Sequence, residues 1–300
     1  MRILITGATG FIGRHLVERL APTHEVYALV RQRPKAPQPT VVYCCQDLAQ
    51  PLDQQQLPTQ LDAIIHQAAV IDTAHTDAAT PFLVNVVGTW RLLEYAEHAG
   101  AQTFIHASTG GIYGCSQHPL RESDPPNPMD LYSLTKAQAE LAVQAARGKF
   151  HKVVLRYFFP YGVGTPNPIP DYVRRAVSGE PIAILASGGP LFNPLHLTDA
   201  VDMTIQALDL PQSVTVNLAG AELTTFAAIA EIAAAQVGRQ PSFQRVAKEA
   251  VIPYYRANLI ADIGRMTALF RTRPVLPLQQ GIAELVSFYQ ATANYQATAK

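Results

Sequence analysis

Tyr132 and Lys136 are the side chains in this sequence whose types and spacing most clearly suggest chemistry. They stand four residues apart in Tyr132-Ser-Leu-Thr-Lys136, a spacing that places a phenol and an ammonium on one face of a helix. A phenol with a pKa near 10 is a poor base at neutral pH, but a nearby cation lowers that pKa. The pair therefore indicates proton transfer, with Tyr132 as acid or base and Lys136 as its catalytic partner.

A glycine-rich turn near the start of the chain indicates the reaction that this pair serves. Residues 3–13 read Ile-Leu-Ile-Thr-Gly-Ala-Thr-Gly-Phe-Ile-Gly, an apolar strand followed by a turn and the start of a helix. Glycines let the backbone approach a pyrophosphate, whose charge then faces the helix N-terminus. The sequence predicts a dinucleotide site and, with Tyr132 and Lys136, hydride transfer. The predicted contacts in this turn are Gly7, Thr9, Gly10, Phe11, Ile12 and Gly13.

The residues after the second and third strands bear on which dinucleotide is bound. The second strand is followed by Arg31, and no acid stands where a ribose 2′-hydroxyl would be bound. An arginine there can pair with a 2′-phosphate, so NADP is favoured over NAD, the alternative being a solvated loop cation. Asp47 and Leu48 follow the third strand. Asp47 can accept from the adenine amino group or cap a helix.

Hydroxyl side chains end the apolar run at residues 103–107. Ser108 and Thr109 can face the nicotinamide or cap the next turn, and Gly110 beside them leaves space over the cofactor. The histidines form no cluster. His66, within a strand pattern, and His196 are each predicted to be core or supporting residues rather than ligands or bases.

Composition excludes several classes of partner. The chain has 300 residues, with 23 basic and 23 acidic side chains, so nothing favours nucleic acid or an anionic membrane. No apolar run approaches the ~20 residues of a membrane span, and no His/Cys spacing indicates a metal site. We expect a soluble cytoplasmic protein with three reduced cysteines and a small-molecule substrate.

Apolar runs that alternate with helical patterns predict an α/β fold: a Rossmann doubly wound parallel sheet with a smaller C-terminal substrate-binding lobe. We assign residues 1–160 to the sheet, with returns near 190–220, and residues 161–300 mainly to the lobe. Strands are predicted at Arg2–Thr6, Glu25–Val30, Val41–Cys45, Ala63–His66, Thr103–Ala107, Lys152–Tyr157, Ile182–Leu185 and Val214–Leu218. Helices are predicted at Phe11–Leu20, Pro81–Ala99, Pro128–Ala146, Asp171–Ser178, Thr198–Leu208, Thr225–Val237 and Leu276–Gln290.

Together these segments resemble the extended short-chain dehydrogenase/reductase family, in its NAD-dependent epimerase/dehydratase branch, over nearly the whole chain. The segments that carry the resemblance are Thr6–Gly13, Asp62–Ala69, Asn85–Glu94, Ser108–Gly114, Leu155–Gly162 and Pro194–Asp199. The resemblance implies a nicotinamide cofactor and a homodimer formed through the helices that carry Asn85 and Tyr132.

The resemblance also implies roles for single residues. Ala68 and Ala69 are expected to line the adenosine ribose, and Asn85 to support the active site. Thr109 is expected to assist catalysis, and Tyr157 to lie in the segment that flanks the nicotinamide. Each of these is an expectation from the family pattern.

Two departures from the family pattern concern the substrate. Sugar-nucleotide epimerases of this kind usually carry an asparagine at Phe159 and an arginine at Phe192, and an apolar ring cannot clamp a diphosphate as arginine does. Dehydratases of this kind carry Asp-Glu where this chain has Gly110-Gly111. We therefore expect an uncharged or modestly polar substrate that contacts Thr109, Gly110, Phe159 and Phe192.

Three functions follow from these observations. The first is a net oxidoreductase, in which Tyr132 exchanges a proton with a carbonyl or secondary alcohol while hydride moves to or from the nicotinamide. The second is an epimerase of a sugar or sugar nucleotide that retains its cofactor. The third is a cofactor-sensing or RNA-binding protein without catalysis, which the intact set of Thr109, Tyr132 and Lys136 disfavours.

Overall fold

Short apolar segments form a seven-stranded parallel sheet, which confirms the predicted fold class. The structure is a computed structural model, and it describes residues 1–71, 77–186, 188–247, 258–270 and 275–298. Ile3, Leu4 and Ile5 in the first strand have no exposed surface, as expected for a parallel sheet covered on both faces. The strands of this sheet are β1 (Arg2–Thr6), β2 (Glu25–Val30), β3 (Val41–Cys45), β4 (Ala63–His66), β5 (Thr103–Thr109), β6 (His151–Tyr157) and β8 (Val214–Leu218).

The strand order is β3-β2-β1-β4-β5-β6-β8. From β1 the chain adds β2 and then β3 on one side of β1. It then crosses back and adds β4 on the opposite side of β1. In open parallel sheets, ligands bind at the carboxyl ends of the strands where the order reverses. This places the expected ligand crevice at the ends of β1 and β4, next to the glycine-rich turn.

The helices begin and end close to the predicted residues, with two exceptions. The helix predicted at Leu276–Gln290 continues to Thr298. The predicted helix Pro81–Ala99 is interrupted by one stretch of π-helix, Leu83–Val87, which we call the π segment. Asp130 caps α4 by accepting from the Ser133 N–H. The helices are α1 (Phe11–Leu20), α2 (Ala79–Phe82), α3 (Gly88–His98), α4 (Leu131–Ala145), α5 (Ile169–Ser178), α6 (Leu197–Gln206), α7 (Phe226–Gln236), α8 (Gly264–Leu269) and α9 (Leu278–Thr298).

The chain divides into two compact units. The first unit comprises residues 1–112, 126–156 and 201–216, and the second comprises 113–125, 157–200 and 217–300. In the second unit, β7 (Ile182–Leu185) pairs in parallel with β9 (Phe243–Val246), and α5, α7 and α9 pack on one another. The sequence analysis found neither β9 nor α8.

Within the described part of the chain, no helix combines the length and the apolar character needed to cross a membrane. The same residues contain no group of three or more His, Cys, Asp or Glu side chains that could hold a metal ion. Cys44 is buried, Cys45 and Cys115 are exposed, and none of the three forms a disulfide.

Candidate active site

The glycine-rich turn is packed so closely that it accepts no side chain at two of its positions. Gly7 has a φ of +66°, and a Cβ there would lie 2.6 Å from the Ala68 nitrogen. A Cβ on Gly13 would lie 2.1 Å from the Gly7 carbonyl oxygen. Gly10 caps α1 without a side-chain hydrogen bond, and no acid stands in the first turn of that helix. A helix N-terminus with these properties fits a dinucleotide pyrophosphate.

The other residues predicted to bind the dinucleotide lie next to these glycines. Thr9 and Gly10 are exposed, whereas Phe11 and Ile12 are half-buried at the start of α1. Ala68 and Ala69, directly after β4, are half-buried, and the Ala68 N–H donates to Thr6 Oγ1 at 3.1 Å. These residues surround the point at which the strand order reverses.

The ends of β2 and β3 carry the residues predicted to distinguish NADP from NAD. Arg31 is exposed immediately after β2, and the guanidinium of Arg33 lies 5.7 Å from the centre of the Tyr43 ring. Asp47 is exposed and accepts from the Ala49 N–H at 2.9 Å, so its carboxylate stabilises a turn. Leu48 is buried, and its carbonyl accepts a hydrogen bond from the guanidinium of Arg91 at 3.1 Å.

Asn85 connects the segment after β4 to the helix that carries Tyr132. Its side-chain oxygen accepts from the Val70 N–H at 2.7 Å, and its amide donates to the Val70 carbonyl at 3.0 Å. The same amide donates to Thr135 Oγ1 at 2.9 Å, and Thr135 donates to the Tyr132 carbonyl at 2.8 Å. Asn85 itself is fully buried in the π segment, a distortion that is frequent at functional sites.

Tyr132 and Lys136 lie in the first turns of α4, where burial governs both side chains. Lys136 is 1 % exposed, and burial lowers its pKa to about 7, although Glu140 acts in the opposite direction. Tyr132 is half-buried, and burial together with the charge of Asp130 raises its pKa. The sequence predicted a lowered pKa for Tyr132; in the structure, burial disfavours the phenolate and this pKa is raised instead.

The two hydroxyl side chains that end β5 have different surroundings. Thr109 is half-buried, and its Oγ1 accepts from the Gly111 N–H at 3.1 Å, so it caps the following 3-10 turn. Ser108 is buried and donates to Glu140, whose carboxylate is also bound by Arg156 Nη2 at 2.7 Å. The Ser108 hydroxyl thus uses its proton on Glu140, and its oxygen can still accept a hydrogen bond, so its contact with the cofactor stays a prediction. Gly110 is buried in the turn.

Of the residues predicted to contact the substrate, Phe159 and Phe192 lie in the second unit, within a group of aromatic rings, whereas Thr109 and Gly110 lie in the first unit. The Phe159 and Phe192 ring centres are 4.5 Å apart, and Phe192 is 4.7 Å from Phe226. Phe192 has no exposed surface, and Phe159 adopts a positive φ of 43°. Tyr157 is buried at the end of β6. Phe159 and Phe192 thus belong to the core of this unit.

A cavity of about 60 Å³ lies in the second unit, next to these rings. Tyr172 and Phe226 form one side of it with ring centres 5.0 Å apart, and Gly188 and Gly189 contribute bare backbone. The Tyr172 hydroxyl donates to the Ala183 carbonyl at 2.9 Å. The complete lining is Pro168, Tyr172, Ala183, Ile184, Leu185, Gly188, Gly189, Pro190 and Phe226, a set without a charged side chain.

Comparison with known proteins identifies the family. The sequence model of the NAD dependent epimerase/dehydratase family matches residues 3–219, more than half of the chain. The protein belongs to this family. The family member described here is therefore an enzyme of the extended short-chain dehydrogenase/reductase type that uses a nicotinamide dinucleotide, as the sequence predicted.

Several similar proteins match this chain over almost its whole length. A Bacillus subtilis protein named "uncharacterized UDP-glucose epimerase YtcB" is 28% identical, over 97% of this chain and 99% of its own length. The structure of Thermus thermophilus UDP-glucose 4-epimerase with NAD has a TM-score of 0.80 and 26% identity, over 97% of this chain and 99% of that one. Bacillus cereus UDP-glucuronic acid 4-epimerase, at 22% identity and a TM-score of 0.85, covers 97% of this chain with its whole length and shares the fold.

Sequence reasoning missed two features of this site. His66 was predicted to be a core or supporting residue, but its partners were not predicted: both of its ring nitrogens are hydrogen-bonded to threonines, one in β1 and one in α3. The buried pair of Glu140 and Arg156 was not considered at all. The one available signal was the presence of charged or polar types inside apolar strand and helix patterns.

Proposed function

We propose that this enzyme transfers hydride between NADP(H) or NAD(H) and a carbonyl or secondary alcohol, with Tyr132 as the acid or base. The observation that supports this most is the chain of bonds from Val70 through Asn85 and Thr135 to the Tyr132 carbonyl. It holds the first turn of α4 beside the ends of β1 and β4, where the dinucleotide turn lies.

The bound nicotinamide supplies or accepts the hydride, and the residues of this chain handle the proton. In reduction, the Tyr132 phenol donates its proton to the substrate oxygen as the hydride reaches the carbonyl carbon, which gives an alcohol. Thr109 hydrogen-bonds the same oxygen, and Lys136 holds the nicotinamide ribose. Because the pKa of Tyr132 is raised by burial, the phenol is protonated at neutral pH, which is the form that reduction requires.

Replacing Tyr132 by phenylalanine tests this assignment. Tyr132→Phe removes the acidic proton and keeps the ring, so dinucleotide affinity should stay within about twofold while turnover falls about 10²–10⁴-fold. Binding is measured by nicotinamide fluorescence and turnover by nicotinamide absorbance. Full turnover in this variant would exclude Tyr132 as the acid or base.

We further propose that Arg31 gives a preference for NADP. Its guanidinium is exposed at the end of β2, and residues 31–40 contain no acid that would repel a 2′-phosphate. The test compares NADPH and NADH dissociation constants in the wild type and in Arg31→Ala. Loss of an ion pair with the phosphate should weaken NADPH binding by about 10-fold and leave NADH unchanged. Equal affinities in the wild type would refute the preference and favour NAD, which the Thermus thermophilus structure contains.

A second candidate is an epimerase that oxidises and re-reduces one carbon of its substrate with a retained cofactor. The similar proteins named as UDP-glucose epimerases favour it. The same Tyr132 chemistry serves both reactions, so the fate of the cofactor distinguishes them. Stoichiometric NAD(H) released on denaturation, with no net absorbance change during turnover, would establish the epimerase.

The substrate is proposed to be uncharged or modestly polar. Support comes from the burial of Phe192, where a diphosphate-binding arginine was expected from the family pattern. A panel of aliphatic and aromatic ketones, assayed beside UDP-glucose, tests this. Turnover restricted to the sugar nucleotide would refute it.

A homodimer is proposed from exposed apolar residues on the first unit. The π segment and α3 expose Leu83, Val87 and Trp90, and α4 exposes Leu134 and Leu141. Light scattering should give twice the 32.6 kDa chain mass, and a monomer at micromolar concentration would contradict the proposal. We also propose a cytoplasmic location, since three cysteines without a disulfide fit a reducing compartment.

A further inference from the structure

Three side chains in the core of the first unit form a directed chain of hydrogen bonds. The Ala68 N–H donates to Thr6 Oγ1, which lies 2.7 Å from His66 Nδ1. His66 Nε2 lies 2.9 Å from Thr89 Oγ1, and Thr89 donates to the Asn85 carbonyl at 2.6 Å. Each of these three side chains is fully buried.

The direction of the bonds fixes the state of the His66 ring. Thr89 uses its only proton on the Asn85 carbonyl, so it accepts from His66, and Nε2 carries the hydrogen. Nδ1 is then the acceptor for the Thr6 hydroxyl. Burial, and next the charge of Lys136, lower the pKa of His66 far below its usual value, which agrees with a ring that stays uncharged.

One end of this chain of hydrogen bonds lies at the glycine-rich turn, and the other end lies at the helix that carries Tyr132. At one end, Thr6 binds Ala68, whose nitrogen is the atom that a Cβ on Gly7 would strike. At the other end, Asn85 binds both Val70 and Thr135, and Thr135 binds the Tyr132 carbonyl. His66 is the link between these two ends.

We propose that His66 is a positioning residue, which fixes the π segment against β1 and β4 and thereby sets the first turn of α4, with Tyr132, relative to the dinucleotide turn. It acts through Thr89 and Asn85 and touches neither substrate nor cofactor. The consequence for catalysis rests on the function proposed above for Tyr132. The positioning itself is a property of the folded chain and can be measured without substrate.

His106 provides a matched control. It stands opposite His66 in the register of β4 and β5, its ring centre is 5.3 Å away, and it too has no exposed surface. Unlike His66, neither of its ring nitrogens has a hydrogen-bond partner among the described residues. Leucine in place of His106 therefore changes packing, whereas leucine in place of His66 changes packing and also breaks the chain.

The variants are His66→Leu, Thr89→Val and His106→Leu. Thr89→Val breaks the same chain with almost no change in volume, so it remains informative if His66→Leu does not fold. Hydrogen exchange, followed by mass spectrometry in peptides covering α4, reports the order of the Tyr132 turn. We expect exchange on the order of tenfold faster in His66→Leu and Thr89→Val, and less than about threefold faster in His106→Leu.

Nitrogen-15 spectra of the labelled histidine side chains provide an independent test. In the wild type, we expect them to show that the hydrogen of the His66 ring is on Nε2. The proposal is overturned if His66→Leu and His106→Leu accelerate exchange equally, or if the hydrogen of His66 is on Nδ1. With a ketone from the panel above, His66→Leu should lower kcat at least tenfold with a smaller change in dinucleotide affinity. If Tyr132→Phe keeps full turnover, the proposed function fails, while the exchange result still decides the role of His66.

Discussion

Replacing Lys136 by methionine should stabilise the protein, in a way that depends on pH. Burial lowers the pKa of Lys136 from the usual 10.5 to about 7, so the folded chain loses this proton near pH 7 and the unfolded chain keeps it to 10.5. Between these values the unfolded state binds more protons, and wild-type stability rises with pH. A pKa change of this size corresponds to about 5 kcal/mol of free energy, all of it unfavourable to folding below pH 7.

Methionine is apolar and similar in size, so Lys136→Met removes this cost. The stabilisation by Lys136→Met should be largest below pH 7. Between pH 7 and pH 10 it should decrease by about 1.4 kcal/mol for each pH unit. Urea denaturation of the cofactor-free protein at several pH values measures it. Methionine in place of the exposed Lys35 is the control and should show no such trend. A Lys136→Met effect that is constant from pH 6 to 10 would refute the argument from burial.

Two further predictions concern packing in the first unit. Gly13→Ala places a Cβ 2.1 Å from the Gly7 oxygen, whereas Gly10→Ala places one 3.1 Å away. The start of α1 must therefore move by about 1 Å in Gly13→Ala. We expect dinucleotide binding, measured by fluorescence titration, to weaken about 10²-fold in this variant. A loss equal to that of Gly10→Ala would show that this contact does not matter. Glu140→Gln removes the carboxylate from the buried ion pair with Arg156. Urea denaturation at pH 7 should then show a free energy of unfolding lower by about 3–5 kcal/mol, because removing one member of a buried ion pair is costly. A loss below about 1 kcal/mol would contradict this expected cost.

Most of the sheet and its helices follow from local sequence patterns. β1, β2, β3 and β4 have the predicted bounds, because continuous apolar runs between turn residues are typical of buried parallel strands. β5 extends two residues beyond its predicted end, through the hydroxyl residues. The π segment was not predicted because it has the same apolar periodicity as the α-helix on either side of it.

The second unit was predicted less completely. The short strand β9, Phe243–Val246, is largely polar and pairs only with β7, so neither its length nor its composition distinguishes it from a loop. The irregular stretch after β6 was expected, but the conformation of Phe159 within it was not, because phenylalanine rarely adopts a positive φ. Its environment is decided by contacts with Phe192 and Phe226, which are distant in sequence.

The sequence by itself determined the family, the glycine-rich turn before α1 and the location of Tyr132 and Lys136 on one helix, because each depends on residues a few positions apart. Only the tertiary structure decided which of two adjacent hydroxyls faces inward, that burial opposes the charge of Lys136, and that His66 has two partners. These properties depend on contacts between residues as much as 60 positions apart, such as Thr6 and His66. The local spacing of residues does not predict such contacts, because the side chains come together only when the strands pair and the helices pack.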